Sequence, residues 1–340
     1  MKTTASKYGM RLLVCVLLAA TAGSASAGPG RDGGTGVAKA SVRIFADSAA
    51  GPIKELNGGN LAPPLTDEEM PGCDIRESFS RLNIPITRLH DAPLENAGMR
   101  VVDIPLIFAN FHADANDPRN YYFDQTDDYI RNCVESGTQV YYRLGTSIEH
   151  SRNKYFTDPP SDAGKWIDVV SNVIRHYTEG KWNGYRYDIE YWEIWNEPDL
   201  GPKMWTGTLE AFNDFYATAA RELKKRFPHL KFGGPGHCAF GEEKVKAFAE
   251  NCAKHGAPLD FYSFHCYSPS DTELLQMALD ARRWLDESGF PDTEIHLNEW
   301  HYNPYGGALW GMGPVEQNEA IRFMRGLESA VTTIARIPKL

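Results

Sequence analysis

The sequence predicts an α/β protein, a TIM-type (β/α)8 barrel that is incomplete: seven βα units are clear and an eighth strand is not. Three observations lead there. From about residue 42, short runs rich in branched and aromatic residues alternate with longer helical patterns, which implies a parallel sheet covered by helices. The helical runs carry their own stop signals, Gly137, Gly180 and Pro228. Polar residues then fall at the C-terminal ends of the strands: Arg88 and His90, Arg143, Asn196 and Glu197, His237, His265 and Tyr267, Asn298 and Glu299. In a closed barrel those ends converge on one mouth, whereas an open sheet would spread them along a line.

Taken in order, residues 1–27 read as a signal peptide. Lys2, Lys7 and Arg11 precede the apolar run LLVCVLLAA, and small residues follow up to Ala25-Ser26-Ala27, so cleavage is expected after Ala27. The apolar run is well short of the roughly 20 residues a membrane span needs. The mature chain is therefore expected to be secreted or periplasmic and not membrane-bound. Residues 28–41 are a Gly-rich flexible lead-in, with no preceding strand or following helix to make a dinucleotide fingerprint. The barrel domain is expected over 42–340. Its strands are predicted near 52–58, 85–90, 138–144, 187–195, 230–234, 259–265 and 294–298. Helices are predicted near 67–82, 125–136, 162–179, 208–227, 241–255, 270–288 and 315–335.

Composition narrows the partners. The formal net charge is −10, and the leader removes three cations from it. Such an acidic field repels nucleic acid and anionic membranes, so a neutral partner is expected. Cys73, Cys133, Cys238, Cys252 and Cys266 are odd in number and widely spaced, unlike a small disulfide scaffold, and the sequence does not pair them. His237, Cys238, Cys252, His255, His265 and Cys266 form neither a CxxC pair nor an HExxH motif, so no metal is predicted. The oligomeric state is not legible.

The stretch EYWEIWNEPD places Glu197 where a largely apolar strand gives way to Pro198. Taken alone, Asn-Glu-Pro-Asp also suits an ordinary turn with Pro opening a short helix. The stretch IHLNEWHY repeats the arrangement, with Glu299 at the end of its strand. Two rim carboxylates three strands apart can face each other across a barrel mouth, which is the pairing that glycosidic bond hydrolysis needs.

These residues resemble the retaining glycoside hydrolases of clan A, and more narrowly family 39, which includes β-xylosidases and α-L-iduronidases. IKELNGGN, TRLHD, YDIEYWEIWNEPD, LKFGGPG and DFYSFHCYSP match that family in order, over roughly residues 50–305. The resemblance implies Glu197 as general acid/base and Glu299 as nucleophile. It implies a bond from Asn196 to the sugar 2-hydroxyl and contact of His90 with the sugar. His265 and Tyr267 would line the same subsite and help hold Glu299, and Arg88 would keep Glu299 ionised. Trp300 and Trp205 are the preferred stacking platforms among Trp195, Trp205, Trp300, Tyr302 and Trp310. Asn110 and His112 are candidate contacts from the long segment 91–123. The implied partner is a carbohydrate, no cofactor or metal is required, and a β-D-xyloside is preferred because no cationic site for a uronate carboxylate can be placed.

The family continues with an eighth strand and a β-sandwich domain. Here only GGALWGMG, a helical run and VTTIARI follow, the last of these read as helix, so the chain is expected to be C-terminally truncated. Open edges on strands one and seven would then invite pairing with another chain. An inactive carbohydrate-binding remnant and a glycosidase of different sugar specificity are the alternatives to a β-D-xylosidase.

Overall fold

The computed structural model describes residues 16–17, 43–44, 56–61, 75–90, 101–147 and 153–326. Residues Met1–Glu55 form one unit and Leu56–Leu340 another. In the first, Val16–Leu17 pairs antiparallel with Arg43–Ile44. The rest of the expected leader and lead-in, the first part of the helix expected over 67–82, and VTTIARI lie outside the described residues. No helix among the described residues is long and apolar enough to cross a membrane.

Among its described residues the second unit carries seven parallel strands in chain order: β1 (Gly59–Asn60), β2 (Ile86–Arg88), β3 (Gln139–Leu144), β4 (Tyr191–Ile194), β5 (Lys231–His237), β6 (Phe261–Ser268) and β7 (Glu294–Tyr302). Between and after them come α1 (Arg76–Leu82), α2 (Ile104–Ile107), α3 (Asp124–Glu135), α4 (Ala163–Thr178), α5 (Leu209–Arg226), α6 (Glu242–Lys254), α7 (Asp271–Glu287) and α8 (Pro314–Met324). Side chains cap the starts of the longer helices, Asp162 on Lys165 N–H, Thr208 on Ala211 N–H and Ser270 on Glu273 N–H. Gly137 and Gly180 take positive φ after α3 and α4, as their stop signals required. The apolar stripe of α4, Trp166, Ile167, Val170, Val173, Ile174 and Tyr177, recurs at helical spacing and is buried with the outward residues Trp192 and Ile194 of β4.

Strand β1 departs from expectation. Residues 56–58 are not in a strand, and pairing begins at Gly59 opposite Thr87. The approach just before the strand is close: a Cβ on Gly58 would lie 3.0 Å from the Ile86 side chain. Among the described residues β1 and β7 share no backbone ladder. Asn60 Nδ2 instead donates to Asn298 O at 3.0 Å, so a side chain links the first strand to the last.

The barrel interior is layered. Tyr141 stacks on Tyr191 and Phe261 on His296. Glu193, Ser263 and Asn298 follow one turn of the pleat nearer the mouth, since side chains alternate along each strand. Two register shifts then change what reaches the mouth. Between β6 and β7 the pairing moves from Phe264↔Leu297 to His265↔Glu299, leaving Asn298 as an extra residue. Between β5 and β6 it moves from Pro235↔Ser263 to His237↔Phe264, leaving Gly236 extra. The first shift lets consecutive residues Asn298 and Glu299 both face inward.

Candidate active site

The backbone that carries Glu197 is irregular for a reason visible in its torsions. Trp195 and Glu197 both take positive φ, 76° and 45°, which costs roughly 1–2 kcal/mol per residue for L side chains. The turn is held by Trp195 N–H on Leu144 O at 2.8 Å and Glu197 N–H on Gly236 O at 3.0 Å. Asp199 fastens the following residues by accepting from the Cys238 and Ala239 amides and from Lys244 Nζ. Asn196 and Glu197 are thereby turned together into the mouth, instead of alternating across a strand.

Glu197 and Glu299 remain 9% and 8% exposed. With His265 they offer one ligand-capable atom each, all within 4.8 Å of one another. His265 stands between the carboxylates, Nδ1 at 2.7 Å from Glu197 Oε1 and Nε2 at 3.5 Å from Glu299 Oε1. Glu299 Oε1 also accepts from Arg88 Nη1 at 2.7 Å and faces His90 Nε2 at 3.6 Å, while Tyr267 OH donates to Oε2 at 2.8 Å. Burial works against its charge, but His265, His90 and Arg88 together hold the Glu299 carboxyl well below the usual range. Burial and then the Glu299 charge push the Tyr267 phenol up, so it stays a proton donor.

Arg88 is the hub. Its Nε donates to Glu193 Oε2 at 2.6 Å, Nη1 to Glu299, and Nη2 to Asn196 Oδ1 at 2.6 Å. Burial opposes its charge, yet Glu193 and Glu299 raise its pKa above the ordinary guanidinium value. Glu193 is fully buried and also accepts from Ser263 Oγ and Asn298 Nδ2. Burial opposes its ionisation too, but Arg88 and those donors keep its pKa lowered. Gly236 closes the group: a Cβ there would lie 3.2 Å from His265 Nε2, 3.3 Å from Asn196 Oδ1 and 3.4 Å from Glu193 Oε1.

The structure thus brings together Arg88, His90, Asn196, Glu197, His265, Tyr267 and Glu299 from the ends of four strands, β2, β4, β6 and β7. Other residues singled out in the sequence lie elsewhere. Trp300 pairs with Cys266 and, by alternation, falls on the opposite face of the strand from Glu299. Trp205 is core, edge-on to Trp195 and Phe212 with its indole N–H on Thr208 O, so it offers no face to a sugar. Trp195 is buried in the same cluster. His237, displaced by the extra Gly236, bonds Tyr262 OH and packs against Phe248, and burial lowers its pKa to about 4. Arg143 forms a separate buried group with Asp103 and Ser147. Asn110 and His112 are exposed and joined in a local turn. Cys133, Cys238, Cys252 and Cys266 form no disulfide among the described residues, and Cys73 lies outside them. Sequence reasoning passed over Glu193, Ser263 and Gly236 as site residues; the available signal was a charge at Glu193, inward-facing in an otherwise apolar strand.

Among the described residues only Glu197, His265 and Glu299 are grouped as a metal could require. A guanidinium already on Glu299 Oε1 disfavours a second cation there, whereas it suits an ionised nucleophile. An apolar cavity of about 330 Å³, lined by Ile104, Phe108, Phe111, Phe156, Trp166 and Trp195, lies outside this polar cluster, so chemistry and not cavity size marks the site.

The comparisons with known proteins agree with this geometry. Over 171 residues the chain is 29% identical to a β-xylosidase of Geobacillus stearothermophilus, covering 43% of this chain and 33% of that protein. It is 31% identical over 196 residues to a β-xylosidase of Caldicellulosiruptor saccharolyticus, covering 52% and 36%. The chain therefore spans about a third of the length of these curated relatives. A solved glucosidase from Croceicoccus marinus superposes with a TM-score of 0.61 at 27% identity, over 74% of this chain and 53% of that one. The family model of the glycosyl hydrolases family 39 matches residues 95–285, more than half of the chain. With its parallel barrel and its paired carboxylates at the mouth, the chain belongs to glycosyl hydrolase family 39.

Proposed function

We propose that the chain is an exported retaining glycosidase that cleaves β-D-xylosides. The observation that carries the reading is the approach of the two carboxylates, whose nearest ligand-capable oxygens lie within 4.8 Å. Retaining enzymes hold their carboxyl groups about 5–5.5 Å apart, and inverting ones leave room for a water at roughly 6.5–9.5 Å.

In the first step Glu197 protonates the glycosidic oxygen while Glu299 attacks the anomeric carbon. The C–O bond to the leaving group breaks, and a glycosyl ester forms on Glu299. In the second step Glu197, now a carboxylate, takes a proton from water, the water oxygen displaces Glu299, and the configuration returns to that of the substrate. Arg88, His90 and Tyr267 hold the nucleophile, which needs to be ionised and fixed in direction. His265 contacts both carboxylates, and Asn196 Nδ2, without an acceptor among the described residues, is available to the sugar 2-hydroxyl. The xyloside assignment is supported by the names of the two curated relatives, and by Arg88 being committed to four protein acceptors, Glu193, Glu299, Asn196 and Asn60, and so unavailable to a uronate. The glucosidase neighbour favours a second reading, a different sugar on the same mechanism. Export rests on the leader-like residues 1–27.

The test is hydrolysis of a panel of aryl glycosides, led by aryl β-D-xyloside and β-D-glucoside, by the chain and by Glu197→Ala and Glu299→Ala. Expected is loss of activity in both variants, with azide rescuing Glu299→Ala as a glycosyl azide of inverted configuration. Inverted hydrolysis product from the unmodified chain would overturn retention. A folded chain that binds sugars and turns over none of them would support the binding-remnant alternative instead.

A further inference from the structure

The mechanism above leaves the buried carboxylate of Glu193, beside the site, without a task. Glu193 precedes Glu197 by four residues on the same stretch, is fully buried, and spends its hydrogen bonds on Arg88, Ser263 and Asn298. A buried carboxylate is costly unless its oxygens are met, and here they are: Arg88 Nε at 2.6 Å, Ser263 Oγ at 2.6 Å and Asn298 Nδ2 at 2.7 Å. What this arrangement fixes is the plane of Arg88. With Nε anchored on Glu193, the two terminal nitrogens point one to Glu299 and one to Asn196.

The consequence lies at Asn196. An asparagine amide can be turned over, exchanging its oxygen for its NH₂ group, and only its neighbours decide which end faces which way. A guanidinium has donors and no acceptor. Facing Arg88 Nη2 at 2.6 Å, Asn196 keeps Oδ1 towards the guanidinium, and the turned-over form would set N–H against N–H. The Nδ2 end is buried and meets no acceptor among the described residues.

We propose that Glu193 is a positioning residue which, by fixing Arg88, makes the Asn196 amide a hydrogen-bond donor towards the substrate 2-hydroxyl. The proposal rests on the glycosidase reading above. Contacts to the 2-hydroxyl strengthen in the transition state, so the chain of contacts from Glu193 through Arg88 to Asn196 acts on the rate of reaction more than on ground-state binding.

The experiment compares an aryl β-D-xyloside with its 2-deoxy counterpart in the unmodified chain, Glu193→Gln, Asn196→Ala, their double variant and the milder Ser263→Ala. Expected for Glu193→Gln is a fall in kcat/KM of about 100-fold on the 2-hydroxy substrate and less than about 10-fold on the 2-deoxy one, mostly in kcat. Asn196→Ala is expected to show the same selectivity, and Glu193→Gln to add little on its background. Ser263→Ala, which leaves the Arg88 pair in place, should move the same ratio by about 3- to 10-fold. In parallel, the Arg88 Nε–H proton in the NMR spectrum should be slow to exchange in the unmodified chain and lost in Glu193→Gln, a readout that needs no turnover. Equal losses on both substrates, or additive losses in the double variant, overturn the positioning role even if the Arg88 signal changes. A folded unmodified chain that is inert on every glycoside, with its Arg88 signal intact, overturns the glycosidase reading and this inference with it.

Discussion

His265 Nδ1 lies 2.7 Å from Glu197 Oε1, and the opposite nitrogen of the same ring faces Glu299. On the proposed double displacement, the imidazole is therefore a spacer between the two groups that would act in turn on one anomeric carbon. Replacing it with Ala leaves both carboxylates free to settle off their reactive positions, and small misplacements cost on the order of 10²-fold in rate. His265→Ala is expected to lower kcat by about 100-fold while KM changes by less than about threefold. Steady-state kinetics on the preferred aryl glycoside decide it, and a loss carried wholly by KM would show that the ring serves binding alone.

Arg88 gives a prediction about stability and pH. It pairs with two buried carboxylates, Glu193 and Glu299, so Arg88→Gln leaves both without their cation and should cost roughly 3–5 kcal/mol near neutral pH. The folded pKa of each carboxylate lies below its free value of 4.5. Their stabilising contribution is therefore complete above that value and is lost as the pH falls through it towards the folded pKa. In Arg88→Gln burial acts unopposed by the guanidinium, and protonation relieves the strain. The stability gap between the two proteins should be widest near neutrality and narrow below about pH 4.5, as measured by thermal melts down to about pH 3. A gap that stays constant across that range would mean that Arg88 contributes through packing and not through its charge.

Much of this site was legible because its parts are strand ends. Arg88, His90, Asn196, Glu197, His265, Tyr267 and Glu299 each follow an apolar run, and barrel geometry gathers such positions whatever their distance in sequence. The misses have a common cause in local register. His237 ends an apolar strand just as His265 does, but the extra Gly236 turns it to the helix side. Trp300 follows Glu299 as Asn196 precedes Glu197, yet regular alternation separates the first pair, whereas positive φ at Trp195 and Glu197 keeps the second together. Residues 52–55 of the strand expected over 52–58 lie outside the described residues, and pairing falls instead on Gly59 and Asn60, residue types that sequence scales count against strands. A register shift has no composition, so a single sequence does not display it.

Gly236 turns that observation into an experiment. It takes φ of +64°, and a Cβ there would press on His265, Asn196 and Glu193 together. Gly137 takes φ of +83° with nothing within 4 Å of its missing Cβ. Both Gly→Ala substitutions should therefore cost about 1–2 kcal/mol of stability through the left-handed backbone. Only Gly236→Ala should also lower kcat, by at least about 10-fold, because it alone displaces the groups around the carboxylates. Paired melts and kinetics separate the two effects, and equal retention of activity in both variants would show that the mouth yields to an added methyl group.

The grouping of Glu197, His265 and Glu299 within 4.8 Å raises the question of a metal, and the surrounding charges answer it. A divalent ion bound to Glu299 Oε1 would sit about 2 Å from an oxygen that already accepts from the Arg88 guanidinium at 2.7 Å. Two cations on one carboxylate oxygen repel. Removing Arg88 takes away that repulsion. Hydrolysis by the chain is therefore expected to stay within about twofold of its starting rate after exhaustive treatment with a chelator. Arg88→Gln should bind zinc more tightly than the unmodified chain, as read by calorimetry, because two carboxylates then lack a counter-charge. Activity lost to chelator and restored by zinc in the unmodified chain would replace the two-carboxylate mechanism with a metal-assisted one.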